Sequence, residues 1–490
     1  MDGVNGPDVA MGDVRLSIIL LAVNAAGGGV FGYSTGIIAG ALPAMEDDFS
    51  QVGNSPTVQG VVTCSILLGA LIGAVFGSAI AEIIGKRRAV MLTGVVAVVS
   101  GLGSALSPWL VAIILFRELQ GIAVGLSSVV CPTYVAELAP ARFRGSLGVS
   151  FQLSITLGIF LSYLISLAFI SVPGDFRWMF GLSVVPGIAM MAIFFFMPKP
   201  PSERHGAARQ MLADDREDLG LASHASDEED DSSDDGQVEE KKPNAYVLLF
   251  KKYPKPTFVA LMLAVGLQLT GINAVLYYAP VIFTNAGFTG ETASLWATAA
   301  IGGWNFLCTF IAVFLVDRLG RRPLLLTGLV AMTISLVLLG FTFEFLTGTA
   351  SLVCSLLLIM LFIIGFEAGI GSLFWALLTE IFADEVREAG ATLMNVIQWT
   401  FNILLSVSFP ALIALLSQAV VFWIFALVAV VVLVVLFVML KETKAVESNE
   451  TVQTAYIVEG NEPLTIALPT SFDTDEHIFS DAEESTKSYF

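Results

Sequence analysis

Long apolar runs, separated by short polar connections, make up most of the chain. A helix that crosses a bilayer needs about 20 mostly apolar residues, and each of these runs provides them. The runs predict twelve membrane-spanning helices, numbered here spans 1 to 12, near residues 14–41, 56–82, 88–106, 109–133, 146–171, 176–197, 256–284, 291–316, 323–346, 351–378, 388–416 and 419–440. We therefore expect an all-α membrane protein.

The overall composition supports a location in the lipid bilayer. The 490 residues are 56% hydrophobic and 14% charged, and the mean hydropathy is +0.80. Soluble domains carry about 25% charged residues, so an ordinary soluble protein is excluded. The net charge of −19 also opposes nucleic-acid binding. The expected surroundings are lipid, and no nucleic-acid partner is expected.

The basic residues predict the orientation of the spans. Twelve is an even number, so both termini lie on one side, and Lys and Arg concentrate in cytoplasmic loops. With the N-terminus in the cytoplasm, almost all of the 24 Lys and Arg residues lie inside. Arg177 then lies in an outside loop and Arg117 lies within span 4. We expect both termini to be cytoplasmic.

Similar motifs recur in the two halves of the chain. A Gly followed by basic residues comes after spans 2 and 8, and a Glu precedes an Arg by seven residues after spans 4 and 10. The matching segments are Gly85–Arg88 with Asp317–Arg322, and Glu137 and Arg144 with Glu380 and Arg387. Two parallel six-helix repeats are typical of transporters whose halves rock about a central site.

The polar segments divide the chain into predicted regions. These are a cytoplasmic N-terminus over 1–13, a six-helix bundle over 14–197, an acidic, partly disordered cytoplasmic loop over 198–255, a second six-helix bundle over 256–440 and an acidic cytoplasmic tail over 441–490. Such acidic segments bury too little apolar surface to fold alone. Solvated disorder is one interpretation, and regulation by phosphorylation at Ser226, Ser233 or Ser480 is the alternative.

Polar side chains inside the predicted spans mark a candidate pathway, because they are costly in lipid. They are Gln152, Gln268, Asn273, Asn305, Glu367, Trp375, Gln398 and Asn402. One amide alone could serve helix packing. As a set they offer many neutral donors and acceptors with few fixed charges, which suits a neutral polyhydroxylated solute. The sequence has no nucleophile–base pair, metal cluster or phosphate loop, so we expect neither an enzyme nor a cofactor.

Several motifs resemble those of one known family. They are "FGYSTG" at Phe31–Gly36, "PTYVAELAPARFRG" at Pro132–Gly145, "QLTGINAVLYYAP" at Gln268–Pro280, "DRLGRRPL" at Asp317–Leu324, "WALLTEIF" at Trp375–Phe382 and "QWTFN" at Gln398–Asn402. With them the chain resembles the sugar porter family of the major facilitator superfamily over nearly all twelve spans. The resemblance implies a sugar transporter, most similar to hexose facilitators, that works by alternating access.

The resemblance also implies roles for individual residues. The implied substrate-binding residues are Phe31, Gln152, Gln268, Asn273, Asn305, Glu367, Trp375, Gln398 and Asn402. The implied gate residues are Tyr277 and Tyr278 on the outer side and Glu137, Arg144, Asp317, Arg321, Glu380 and Arg387 on the cytoplasmic side. The chain departs from the family at Leu267, where an amide is common, and at Ile370, Ser372 and Phe374, where prolines are common. A less sharp bend in span 10 is therefore expected.

The residue at position 34 bears on energy coupling. Proton-coupled members of the family carry Asp at this position, facing the Arg of span 4, whereas this chain has Ser34 opposite Arg117. A serine hydroxyl does not titrate near neutral pH, so we expect a passive facilitator. Two alternatives stay open. Glu118 could be a relocated proton carrier in a symporter, or the protein could be a sugar sensor with the same fold.

The cellular setting follows from the same resemblance. The expected partner is a small neutral sugar, namely a hexose, although the residues do not distinguish one hexose from another. We expect the plasma membrane, with an organellar membrane as the alternative. A single chain should suffice for transport, whatever the oligomeric state.

Overall fold

Twelve helices of the computed structural model are long and apolar enough to cross a membrane. The structure describes residues 7–169, 172, 174–200, 245–277, 291–383, 385–440, 455–458 and 463–466. The observed spans are Asp13–Glu46, Val58–Ile84, Lys86–Leu106, Leu110–Leu138, Arg144–Phe169, Asp175–Phe196, Pro254–Leu276, Leu295–Val316, Arg321–Phe345, Gly348–Glu380, Arg387–Phe409 and Gln418–Met439. They correspond one for one to the predicted spans and confirm an all-α membrane architecture.

Several spans contain more than one helical segment. In the N-terminal half the α-helices are Pro7–Gly36, Ile38–Asp48, Ser50–Asn54, Pro56–Ile84, Lys86–Leu106, Leu110–Leu138, Arg144–Phe169, Asp175–Gly181 and Val184–Ile193, with 3₁₀ turns over Ala141–Phe143 and Phe194–Phe196. In the C-terminal half they are Ala245–Lys251, Pro254–Leu269, Ile272–Tyr277, Glu291–Leu319, Arg321–Phe345, Gly348–Phe366, Ser372–Glu380, Arg387–Leu416 and Gln418–Met439.

Small residues allow the helices of the N-terminal half to approach closely. A Cβ atom added to Gly28 of span 1 would lie 2.6 Å from the Cβ of Ser154 on span 5. A Cβ atom added to Gly125 of span 4 would lie 2.7 Å from the backbone nitrogen of Ala74 on span 2. Such close backbone contacts stabilise helix pairs in lipid, where no hydrophobic effect draws the helices together.

The two halves meet along matching pairs of spans. Span 5 packs against span 8, and span 2 packs against span 11. The second part of span 10, Ser372–Glu380, also packs against span 5. Each half contributes equivalent spans to this contact surface, as expected for two parallel repeats. The central site described below lies between these pairs.

Two spans are interrupted near their middle. Span 7 breaks between Leu269 and Ile272, where Gly271 has φ of +92°. Span 10 contains a π-helical segment over Glu367–Gly371. Within it, Gly369 has a non-helical backbone, with φ of −102° and ψ of −112°. Glycine therefore interrupts span 10 at the place where prolines are common in the family. Such π-helical turns often occur at functional sites.

The polar regions differ in part from the predictions. The helix Ala245–Lys251 forms inside the segment that the sequence predicts to be a loop. The chain up to Thr443 is one compact unit, and Lys444–Phe490 is a second unit. In the second unit, strands β1 (Ala455–Val458) and β2 (Pro463–Ile466) pair antiparallel, with Ala455 opposite Ile466. The candidate phosphorylation sites Ser226, Ser233 and Ser480 lie outside the described residues.

Candidate functional site

A central cavity lies between the two halves, with about 670 Å³ of empty space when the part open to solvent is included. Spans 1 and 5 line it from the N-terminal half, and spans 7, 8, 10 and 11 line it from the C-terminal half. All nine predicted substrate-binding residues are in its wall, together with Thr35, Gly36, Ile155, Thr156, Ile159, Tyr163, Leu267, Ile272, Leu276 and Phe366. The sequence-based selection of residues therefore assembles in one place, although its role in binding stays a prediction.

One polar cluster in the cavity joins the two halves. Gln152 of span 5 donates from Nε2 to both carboxylate oxygens of Glu367, each at 3.2 Å. Trp375 donates from Nε1 to Oε1 of the same glutamine at 3.0 Å. Glu367 is only 1% exposed, so its carboxylate lies among protein groups and not in bulk solvent. Because both partners of Gln152 belong to span 10, this amide connects span 5 with the interrupted helix.

A second polar cluster forms a chain of amides. Asn273 donates to Gln268 at 2.5 Å, and Gln268 donates to Gln398 at 2.6 Å. Gln398 in turn donates to Asn395 at 2.8 Å, and Asn395 donates to Ser128 at 3.0 Å. The last two residues were not predicted. Asn395 could have been found from its position one helical turn before Gln398, whereas nothing in the local sequence singles out Ser128.

Aromatic rings form another side of the cavity. The ring of Phe31 lies 6.4 Å from that of Trp375 in an edge-to-face arrangement and 5.1 Å from that of Trp399. Trp375 also meets Phe151 edge to face at 5.0 Å. These distances are typical of favourable ring pairs. The apolar faces of a sugar ring could pack against such a surface.

Two asparagines provide further hydrogen-bonding groups. Asn402 accepts a hydrogen bond from Ser406 at 3.2 Å. The Oδ1 atom of Asn305 is buried and has no hydrogen-bond partner among the described residues. A buried acceptor without a partner is unfavourable by roughly 1–3 kcal/mol. A ligand hydroxyl that donates to Asn305 would remove this cost.

Ser34 of span 1 and two residues of span 4, Arg117 and Gln120, are buried. Ser34 is fully buried and accepts a hydrogen bond of 2.8 Å from Nε2 of Gln120. Arg117 is also fully buried, and its guanidinium lies 5.1 Å from the ring centre of Phe180. Its Nε donates to the Val62 carbonyl at 3.4 Å, while Nη1 and Nη2 have no hydrogen-bond partner in the described part of the chain.

The neighbouring carboxylate does not neutralise this arginine. Glu118 is half-buried, and no ion pair joins it to Arg117 in the part of the chain that the structure describes. The backbone carbonyl of Glu118 packs against Gly69 of span 2. Adjacent residues of a helix point about 100° apart, so the two side chains lie on different faces.

Ion pairs cluster at one end of the bundle, where spans 4 and 10 end and spans 5 and 11 begin. We call this the motif end. Lys86 pairs with Glu137 at 2.8 Å and also contacts Glu388 of span 11. Arg321 pairs with Glu380 at 3.1 Å. The contact between Lys86 and Glu388 joins the two halves, so the motif end is closed in this structure.

The remaining predicted gate residues differ in exposure, and some of them lie outside the described residues. Arg144 is exposed and forms no ion pair within the described residues, so the basic partner of Glu137 at the motif end is Lys86. Arg387 is half-buried at the start of span 11. The side chains of Asp317 and Tyr277, and all of Tyr278, lie outside the described residues. No group of side chains suited to a metal ion occurs among the residues searched.

Comparisons with known proteins agree with this architecture. The family profile described as "Sugar (and other) transporter" matches residues 20–455. The galactose–proton symporter of Escherichia coli K12 is 33% identical over 85% of this chain and 89% of its own length. The glucose transporter GlcP of Staphylococcus epidermidis is 33% identical over 83% of this chain and 90% of its own length.

Solved structures give the same result. The proton:xylose symporter XylE bound to 6-bromo-6-deoxy-D-glucose has a TM-score of 0.73 and 26% identity, covering 88% of this chain and 97% of that chain. The inward-open form of Escherichia coli XylE has a TM-score of 0.64 and 25% identity, with 88% and 97% coverage. The chain therefore belongs to the sugar transporter family of the major facilitator superfamily, whose members are membrane transporters and not enzymes.

Proposed function

We propose that this sugar transporter is a passive hexose facilitator, a uniporter that works by alternating access. The observation that carries the proposal is the buried Ser34, which is hydrogen-bonded to Gln120, one helical turn from Arg117 on span 4. Sugar would enter the central cavity from one side, and the halves would then rock to expose it to the other. The sugar gradient alone would drive net movement.

The physical argument concerns titration. Proton coupling requires a group that gains and loses a proton in step with sugar binding, and the charge of a nearby arginine sets the pKa of such a carboxylate. Neither Ser34 nor Gln120 changes its charge near neutral pH. The Phe180 ring beside Arg117 offers a cation–π contact, which stabilises a guanidinium without a carboxylate. A proton cycle therefore has no carrier at this position.

The substrate class follows from the wall of the cavity. The wall offers neutral amides, the unpaired acceptor of Asn305 and the aromatic rings around Phe31. The polar groups suit the hydroxyls of a neutral molecule, and the rings suit its apolar faces. Similar proteins named for galactose, glucose, D-xylose and myo-inositol also carry polyhydroxylated solutes. Within this class we propose a hexose.

We further propose that the motif end and both termini face the cytoplasm of a cell and that the protein resides in the plasma membrane. The basic residues of the connecting loops support this orientation. The structure is also less similar to the inward-open form of XylE than to the sugar-bound form, as expected if its closed motif end were the inner side.

A second candidate function is proton–sugar symport with Glu118 as the carrier. Two relatives, the galactose–proton and arabinose–proton symporters of Escherichia coli, are proton-coupled, and Glu118 directly follows Arg117. A charged residue at this depth is unusual in a span. Such a symporter would concentrate sugar when protons flow down their gradient.

Uptake of radiolabelled D-glucose and D-galactose into liposomes that contain the purified protein tests these proposals. We expect uptake that stops when the inner and outer concentrations are equal, with or without an imposed pH gradient. The Ser34→Asp variant is the matched comparison, because it introduces the carboxylate that the resemblance gives to proton-coupled members of the family at this position. We expect partial pH dependence in that variant.

The opposite outcome would favour the second candidate. Accumulation above the outer concentration in the unmodified protein, abolished by Glu118→Gln, would replace the facilitator by a symporter. Binding of sugar to the protein without any flux would instead indicate a sensor. Flux of pentoses with no flux of either hexose would correct the proposed substrate.

A further inference from the structure

The amide chain of the cavity continues beyond the sugar-facing residues into the other half of the protein. Asn395 of span 11 accepts from Gln398 at 2.8 Å and donates to Ser128 of span 4 at 3.0 Å. Both residues are nearly inaccessible to solvent, with exposures of 1% and 2%. A hydrogen bond between two buried side chains thus joins the halves beneath the cavity.

Every bond in this chain has the same direction. Each amide donates toward Ser128, whose hydroxyl finally donates to the carbonyl of Gly125 at 2.7 Å. An amide side chain has a donor end and an acceptor end, so turning one amide over disrupts its bonds to both neighbours. Asn395 therefore determines which end of the Gln398 amide faces Gln268 and the cavity.

Asn395 also lies on the route between the cavity and the motif end. It precedes Gln398 by one turn of span 11, toward Arg387, where that helix begins. Ser128 lies between the cavity and Leu138, where span 4 ends. The indole of Trp399 approaches the same hydroxyl at 3.5 Å and stacks near Phe31, which strengthens the contact between the halves.

Opening of the motif end must separate span 11 from the N-terminal half. That movement would break the bond between Asn395 and Ser128 and would release Asn395 from a fixed orientation. The Gln398 amide would then lose the acceptor that orients it. The geometry of the sugar-facing amides and the closure of the motif end are therefore stabilised by the same residue.

We propose that Asn395 is a positioning residue of the transport cycle. Through Oδ1 it orients Gln398 for the sugar, and through Nδ2 it binds Ser128 and stabilises the closed motif end. The proposal rests on the proposed function only in taking a sugar as the ligand of the cavity. It assigns to Asn395 and Ser128 a role that none of the predicted site residues has.

The closure can be measured without any sugar. Spin labels are attached at Ile83→Cys and Leu319→Cys, two positions at the motif end, one in each half, whose side chains are 82% and 53% exposed. The four native cysteines are first replaced in the full chain, and folding of this background is verified by its size-exclusion profile. Double electron–electron resonance spectroscopy then gives the distribution of distances between the two spin labels in Asn395→Ala, Ser128→Ala and the double variant.

We expect each single variant to increase the ratio of open to closed molecules roughly fivefold, as the loss of one buried hydrogen bond implies. The double variant should show no more than the larger single effect, because both changes remove the same bond. Ser128→Thr, which keeps the hydroxyl, should behave like the parent. Ser127→Ala is the matched control, since Ser127 donates only within its own helix, to Val124, in the described structure.

A transport measurement separates positioning from closure. Asn395→Ala should raise the KM for D-glucose more than Ser128→Ala, because only the former removes the acceptor of Gln398. Unchanged distances in both single variants, additive effects in the double variant, or an equal shift in Ser127→Ala would overturn the proposal. Absence of hexose transport with the expected distance changes would reject the proposed function alone, whereas transport with unchanged distances would reject only the role of Asn395.

Discussion

The two halves of the protein carry the same ion pair at the motif end. Lys86 binds Glu137 at 2.8 Å in the first half, and Arg321 binds Glu380 at 3.1 Å in the second. Each basic residue directly follows a glycine with φ close to +90°, a conformation that other residues rarely adopt. The repeat therefore reproduces both the backbone and the bond it supports.

The next residue of each motif repeats as well. Arg87 donates to the carbonyl of Phe194 at 2.9 Å and lies 4.5 Å from the centre of its ring. Arg322 donates to the carbonyl of Phe437 at 2.8 Å and lies 5.7 Å from that ring. In both halves this arginine ties the motif to the end of the last span of its own half.

The halves differ in the contact that connects them. Lys86 also binds Glu388, which follows Arg387 at the start of span 11. The equivalent position after Arg144 in the first half is Gly145, which has no carboxylate to offer. The repeat thus builds a bond inside each half, whereas the bond between the halves depends on one residue that the repeat does not share.

The cavity shows a similar asymmetry. Seven of the nine predicted substrate-binding residues belong to the C-terminal half, and only Phe31 and Gln152 belong to the N-terminal half. The N-terminal half instead contains Ser34 and Arg117, on which the question of coupling depends. The residues predicted to bind sugar and the residues that bear on coupling therefore lie mostly in different halves of a repeated fold.

The largest effect is expected from Lys86→Ala, which breaks the bond inside the first half and the bond between the halves. The labels at Ile83 and Leu319 should report a roughly tenfold higher ratio of open to closed molecules. Glu388→Gln breaks only the contact between the halves. It should raise the ratio of open to closed molecules roughly threefold, because a partly exposed ion pair contributes about 1 kcal/mol or less. Lys252→Ala is the control, because its exposed pair with Glu385 lies within the C-terminal half and does not connect the halves. Equal effects of the two changes would show that the repeated pair contributes nothing to closure.

A smaller effect is expected in the cavity, where the single amide of the N-terminal half can be compared with one from the C-terminal half. Gln152→Ala removes the hydrogen bonds that this amide makes to Glu367 and Trp375 and should raise the KM for hexose roughly fivefold. Asn273→Ala removes one hydrogen bond to Gln268 and should raise the KM for hexose about threefold. Initial rates of uptake into liposomes measure both values, and fluorescence size-exclusion profiles verify folding. Unchanged values in both variants would place the site elsewhere.

The smallest effect is expected at an exposed contact that occurs only in the C-terminal half. Lys252, at 2.6 Å, and Tyr253 both donate to Glu385, and these bonds lower the pKa of its carboxyl below the usual 4.5. A lowered acid pKa means that the contact is fully stabilising above about pH 4.5 and is lost as the pH falls through the lowered value. Hydrogen exchange of the helix Ala245–Lys251, corrected for intrinsic rates, should therefore increase less than twofold at low pH. Glu385→Gln should abolish this dependence, and its persistence would assign the change to other groups.

Much of the fold could be predicted because each membrane span must be long and apolar enough by itself to cross the lipid bilayer. The apolar length of every span is a local property, so all twelve spans were found. Span 10 was predicted to bend less without prolines, yet Gly369 interrupts it. The helix Ala245–Lys251 was missed because its seven residues, although mostly apolar, are far fewer than the about 20 that a membrane span requires.

Pairings were harder to predict than segments. The regular spacing of Glu137 and Arg144 suggested that they act together, but Lys86 reaches the carboxylate and Arg144 is exposed. The amide of Asn395 was overlooked because its importance depends on Ser128, which is far away in the sequence. Which donor reaches which acceptor depends on how the helices pack, and spacing along one helix does not contain that information.

The sequence by itself determined the twelve spans, the repeat of two halves, the set of polar residues in the cavity and the absence of a carboxylate at position 34. These features depend on the transfer free energy of individual segments and on the identity of single residues. Only the tertiary structure decided that Lys86 joins the halves through Glu388, that Gln152 bonds Glu367 and Trp375, and that the amide chain ends on Ser128. The reason is physical, since a buried polar group takes the partner that packing brings within reach, whatever the distance along the chain.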